Sequence, residues 1–110
     1  MGPGTHRAPR AGDRLPDAPL VIDGHATSLH ELTAPPGWHV LHCGIESPPP
    51  PVGAVAVHRL DGPGHEQALR RLRVRPRDST VLLVRPDGYI GYRGSTAGLQ
   101  SYLDRWLPDD

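Results

Sequence analysis

The chain has 110 residues, enough for one domain around one modest core, with 36% hydrophobic residues and a formal net charge of zero. That balance argues against electrostatic capture of nucleic acid or of an anionic membrane surface. A single cysteine excludes an internal disulfide, and no apolar run nears the ~20 residues of a membrane span.

Thirteen glycines and fourteen prolines mean that part of the chain is irregular. All twelve basic residues are arginine, which reads as a coding bias. The cluster Arg70, Arg71, Arg73, Arg75 and Arg77 is interrupted by Leu72 and Val74 and lacks interleaved aromatics. It reads as a solvated face rather than a nucleic-acid patch. The N-terminus has arginines but no apolar stretch behind them, so no signal peptide is expected and a cytoplasmic location is.

Residues 1–12 show no periodicity and are expected to be a disordered tail or linker, leaving residues 13–108 as the domain. Asp13 to Pro19 is an extended lead-in, because residues before proline avoid the α region. Leu20-Val21-Ile22 predicts a strand, Asp23-Gly24 a hairpin turn and Ala26-Thr27 the return. Ser28 and Glu31 fit a capping box that starts a short helix at Leu29, and Pro35, Pro36 and Gly37 stop it by Ala34.

Trp38 to Cys43 predicts the next strand. Pro48 to Pro51 cannot be helical and predict extended polyproline II, in a spacer rather than an SH3 ligand. Val55 to Leu60 is a further strand and Asp61 to Gly64 a turn. His65 to about Arg73 is a helix turning Leu69 and Leu72 inward.

The best-specified stretch is Val81 to Arg93. Four unbroken apolar residues, Val81 to Val84, predict a strand covered on both faces. In the turn Arg85-Pro86-Asp87-Gly88, Pro86 presets φ, Asp87 can bond its own backbone and Gly88 supplies the left-handed position. Tyr89 to Arg93 then runs back, with Arg85 and Arg93 as solvated strand ends. Leu99, Tyr102, Leu103, Trp106 and Leu107 form the stripe of an amphipathic helix, capped by Ser95 or Thr96 and ended by Pro108. Tyr89, Tyr92, Tyr102 and Trp106 are expected to cluster between this helix and the hairpin.

This order, ββ-α-β-loop-β-α-β-β-α, predicts an α/β sandwich with a central mixed sheet of about four to five strands and helices on its faces. The closing β-β-α is that of a thioredoxin-like arrangement. If the two middle strands are parallel neighbours, their connection normally carries a helix. Here the proline run bridges it, so the active-site helix is read as deleted.

Two stretches, Gly12 to Leu20 (Gly-Asp-Arg-Leu-Pro-Asp-Ala-Pro-Leu) and Val81 to Tyr89, resemble the C-terminal domain of flavin-dependent aromatic hydroxylases. These are the class A monooxygenases of the phenol hydroxylase and polyketide-tailoring group. The resemblance spans roughly Gly12 to Leu107, and Val-Arg-Pro-Asp-Gly-Tyr followed by Leu99-x-x-Tyr102-Leu103 carries most of it. It implies a thioredoxin-like structural or oligomerisation unit, whether free-standing or a split-off or remnant part of such an enzyme. It also implies FAD only in a full-length relative or partner chain. No Gly-x-Gly-x-x-Gly follows a strand here, so no catalytic or cofactor-binding residue is carried over. The partner implied is a flavin-dependent hydroxylase chain or a second copy of this one.

Cys43 is the one weak catalytic candidate, as the nucleophile of a small single-cysteine thiol oxidoreductase. A redox thioredoxin needs a second cysteine and a helix N-terminus to lower the thiol pKa. The resolving position holds Glu46, and Ser79 or Thr80 stands where thioredoxins keep a cis-proline. A structural thiol is the expectation. His39, His42, Cys43 and His58 invite a metal reading, but strand alternation puts His39 and Cys43 on one face and His42 on the other. No zinc spacing is present, so hydrogen-bonded strand histidines are expected and no metal. Ser47, Ser79, Ser95 and Ser101 lack the surroundings of a catalytic triad.

Overall fold

The structure is a computed structural model, described here for residues 8–43, 55–60, 64–74 and 79–106. The expected elements occur in the expected order. They are β1 (Pro19–Ile22), β2 (His25–Ser28), α1 (Leu29–Leu32), β3 (Trp38–Cys43), β4 (Val55–Leu60), α2 (Glu66–Arg71), β5 (Thr80–Val84), β6 (Ile90–Gly94) and α3 (Thr96–Trp106).

Strands β3 to β6 form one mixed sheet in the order β4-β3-β5-β6, while β1 and β2 form a separate two-stranded sheet. Strands β3 and β4 are parallel, with Leu41 opposite His58; β3–β5 and β5–β6 are antiparallel. The polyproline bridge and deleted helix fall on residues 44–54, outside the described residues, as do residues 61–63, 75–78 and 107–110.

Both faces of the sheet are covered, which makes the unbroken apolar run of β5 intelligible. Leu82 and Val84 join a core with Leu41, Cys43, Leu60 and Ile90 beneath Leu29 of α1, Ala68 of α2 and Leu72 at the C-cap of α2. Leu15, Ala18 and Leu20 of the lead-in and β1 close that layer. Val81 and Leu83 point the other way, to Val40, Val55 and the α3 residues Leu99 and Leu103. The result is a thioredoxin-like sandwich whose β5 is buried on both sides.

The turns follow their residue chemistry. Asp23 and Gly24 both take positive φ, as a two-residue hairpin that matches strand twist requires. In the β5–β6 turn Gly88 has φ 89°, its N–H donates to the Arg85 carbonyl at 2.9 Å, and Arg85 N–H donates to Tyr89 at 2.8 Å. Helix α1 has one turn, yet its first three amides are all satisfied: Leu29 by the Ala18 carbonyl, His30 by Asp17 Oδ1 and Glu31 by Ser28 Oγ.

The lead-in is tied to the hairpin. Gly12 N–H donates to Ile90, Ile90 to Asp13 and Leu15 to Gly88, at 2.8 to 3.0 Å. Of the stretch read as a linker, residues 1–7 lie outside the described residues, whereas Pro9 and Gly12 bond to β6. Two side chains depart from expectation. Tyr89 is 38% exposed and its backbone bridges to Arg14, so it does not join the Tyr92–Tyr102 contact, where the rings lie 5.6 Å apart. Arg93 is half-buried rather than a solvated end, because it faces the same layer as Leu82, its cross-strand partner.

Candidate functional site

Residues that could carry chemistry gather where β3 meets β4 and β6. Cys43, the last residue of β3, is fully buried among aliphatic side chains. Its thiol donates to the Leu41 carbonyl at a long 4.0 Å. Burial in this apolar layer pushes its pKa up from 9.0 to about 12, an effect only partly offset by the Arg93 guanidinium. At pH 7 the thiol is therefore held in its protonated form. A thiolate nucleophile needs the opposite environment, exposed and electropositive. Cys43 is packed in the core, in surroundings opposite to those.

Arg93 reaches from β6 under the end of α2. Its Nη1 donates to the carbonyls of Leu72 at 2.6 Å and Pro9 at 2.9 Å, and its Nη2 to Arg73 at 3.3 Å. Arg73 itself sits at φ 60°, the conformation that turns the chain off the helix and presents these carbonyls. The guanidinium thus joins the N-terminal lead-in, the α2 end and β6. Sequence reading missed this role, since alternation alone gives Arg93 a face but not the carbonyl cluster that meets it.

Of the four candidates for a metal, the fold brings two together. His39 and His58, from neighbouring parallel strands, approach with Nδ1 of His39 2.9 Å from Nε2 of His58. The ring planes differ by 18° and the centroids are 5.2 Å apart, so the imidazoles meet end to end rather than face to face. Nε2 of His39 lies 2.7 Å from the Pro35 carbonyl oxygen. His42 projects to the opposite face and is fully buried there. Among the described residues no group of three or more His, Cys, Asp or Glu side chains converges as metal ligands.

Two surface clefts flank Pro19 and Gln67. One, of about 320 Å³, lies along Leu20, Val21, Ala26, Thr27 and Glu66; the other, of about 340 Å³, lies against Ala18, Arg70 and Arg71. Neither contains a glycine-rich strand-to-helix turn of the kind that holds a dinucleotide. Among the described residues no helix is long and apolar enough to cross a membrane.

Comparison with known proteins gives this geometry its context. Residues 8–109 match the family described as "Aromatic-ring hydroxylase, C-terminal". The chain is 33% identical over 99 residues to a dialkyldecalin synthase of Streptomyces rugosporus, covering 87% of this chain and 18% of that protein. The fold matches a structure of aklavinone-11 hydroxylase with FAD and aklavinone, with TM-score 0.62 and 22% identity over 86% of this chain and 20% of that one. It also matches the flavin-dependent monooxygenase PieE with FAD and substrate, with TM-score 0.64 and 24% identity over 94% of this chain and 21% of that one. The chain spans about a fifth of the length of each of these proteins.

Proposed function

The chain belongs to the aromatic-ring hydroxylase C-terminal family, and from that premise we propose that it is a non-catalytic structural module of an FAD-dependent aromatic-ring monooxygenase. The observation that carries this reading is the state of Cys43: its one thiol is sealed in the core with its pKa pushed up to about 12. The remaining polar groups point the same way. Arg93 is spent on backbone carbonyls, and His39 is engaged with His58 and Pro35.

A further argument comes from the relatives. The same domain recurs in a protein named a synthase and, as a fold, in a hydroxylase and a monooxygenase bound to FAD. A module shared by proteins named for different chemistries fits a role common to all, in supporting or assembling the parent enzyme, better than a role in any one reaction. Neither of the two clefts carries a nucleotide-binding turn, which supports placing the flavin elsewhere. The flavin belongs with the rest of the parent enzyme, whether in one longer chain or in a separate flavoprotein chain that this module joins.

The test is to purify the 110-residue chain and to coexpress it with a flavin hydroxylase lacking its own C-terminal domain. The isolated chain should bind no stoichiometric FAD and oxidise no NAD(P)H, and it should co-elute with the flavoprotein. Stoichiometric FAD with NAD(P)H oxidation by the isolated chain would sink the reading. Elution only as a homo-oligomer would assign it to self-assembly. Insulin reduction lost in Cys43→Ser would revive thiol chemistry.

A further inference from the structure

The His39–His58 contact has a direction that its neighbours determine. A backbone carbonyl only accepts, so His39 Nε2 must carry the hydrogen that it shares with Pro35 at 2.7 Å. A neutral His39 then has its lone pair on Nδ1, and it accepts from Nε2–H of His58 at 2.9 Å. The relay runs from β4 through β3 to the turn before β3: His58 donates to His39, which donates to Pro35. His39 is 3% exposed and His58 is half-buried.

This arrangement tolerates one added proton but not two. The first has a seat on Nδ1 of His58, which leaves Nε2–H donating as before. A second has none except Nδ1 of His39, the atom that accepts the bond. Two N–H groups would then face each other between two cations whose rings lie 5.2 Å apart. We propose that the His39–His58 pair is an acid-released latch that holds edge strand β4 to β3 and opens when both imidazoles are charged.

The surroundings make the latch responsive. On the same face β3 also presents Cys43, and β6 presents Arg93, which is turned to Leu72, Arg73 and Pro9. From α1, His30 is directed to Leu15 and Asp17, and Glu31 is exposed; from α2, Glu66 accepts from Gly64, and Arg70 and Arg71 are exposed. Strand β5 adds only the aliphatic Leu82 and Val84. Arg59 alternates to the other face of β4, opposite His42. Among the described residues, then, no carboxylate is placed to neutralise a doubly charged pair. Burial and the neighbouring His39 both lower the pKa of His58, in keeping with this. Strand β4 ends the sheet and, among the described residues, pairs only with β3.

The proposal is tested on the full chain by imidazole ¹⁵N spectra and by amide hydrogen exchange between pH 8 and pH 4.5. At pH 8, His39 should be the Nε2–H tautomer and His58 should also carry its hydrogen on Nε2. On acidification the β4 amides, corrected for intrinsic exchange, should lose protection at least ~10-fold relative to β5 amides as the second imidazole titrates. In His58→Gln the side-chain amide can donate to a neutral His39 and, by flipping, accept from a charged one. That variant should lose the acid response. Protection of β4 that does not change with pH would overturn the latch, as would an equal response in His58→Gln or a neutral His39 carrying its hydrogen on Nδ1. If His58→Gln does not fold, the wild-type tautomers and the pH dependence of β4 protection decide alone.

Discussion

The Arg93 guanidinium lies 2.6 Å from the Leu72 carbonyl oxygen, a contact between β6 and the end of α2 that also draws in the carbonyls of Arg73 and Pro9. A charged donor on half-buried carbonyls contributes more than a neutral one, and its loss leaves acceptors unsatisfied. Arg93→Met should therefore destabilise the domain by about 2 kcal/mol in urea unfolding. Arg93→Lys should recover less than half, because a single ammonium cannot fork across three carbonyls. A change under about 0.5 kcal/mol in the Met variant would show that the contact is no better than a surface one.

Cys43 makes stability depend on alkaline pH. The folded thiol titrates at about 12 and the unfolded one near 9.0, so between these values the folded chain holds a proton that the unfolded chain has released. Stability is then undiminished below pH 9.0 and falls as pH rises toward 12. The limiting slope is about 1.4 kcal/mol per pH unit for one group. Cys43→Ala should be less stable than wild type at pH 7 yet lose less between pH 9 and 11, as followed by denaturant midpoints. Alkylation of native Cys43 at pH 7 should be slow and should accelerate at least ~100-fold in denaturant. Fast native alkylation would show that the thiol is accessible.

Gly98 is needed for contact rather than for flexibility. A Cβ there would fall on the Tyr92 hydroxyl, which donates to the Ser95 carbonyl at 2.9 Å, while Gly98 N–H is itself capped by Ser95 Oγ at 3.1 Å. Alanine is the better helix former by up to ~1 kcal/mol. Displacing Tyr92 from Ser95 and from its packing on Tyr102 outweighs that gain, so Gly98→Ala should destabilise by about 1–2 kcal/mol. Combined with Tyr92→Phe, which removes the clashing oxygen, the alanine should cost less than it does alone. A thermal-unfolding double-mutant cycle reads this coupling, and strict additivity would refute it.

Asp17 and Ser28 divide the N-terminus of α1 between them, at the His30 and Glu31 amides. The His30 N–H is the main cause holding the Asp17 carboxyl below its usual 3.8. The stability this gives is present above 3.8 and is lost as pH falls through the lower folded value. Asp17→Ala should cost about 1 kcal/mol at pH 7, a typical loss for a helix cap, and less at pH 2.5. A penalty that does not change with pH would mean that Asp17 acts through shape and not charge.

Much of the fold was legible in the chain. The Ser28 N-cap on the Glu31 amide, the Pro86-Asp87-Gly88 turn and the apolar run of β5 each express a local rule, and all three appear in the structure where the residues place them. The failures came at long-range contacts. Proximity along the chain groups Tyr89 with Tyr92, but Tyr89 stays exposed and its backbone bridges to Arg14. A charged strand end such as Arg93 is ordinarily solvated, and nothing local to residue 93 signals the Leu72 carbonyl. The candidate site is legible only in its parts: strand alternation separates His42 from His39, but it does not pair His39 with His58.

The sequence by itself determined the order of elements, the doubly covered strand and the family. These depend on periodicity, turn stereochemistry and motifs that are written over a few neighbouring residues. Only the tertiary structure decided what the polar residues do. A parallel β3–β4 register set His58 against His39, and a two-layered core closed over Cys43. Burial and the choice of hydrogen-bond partner arise from packing between distant segments, and those two quantities assign Cys43 to the core and the His39–His58 pair to the edge of the sheet.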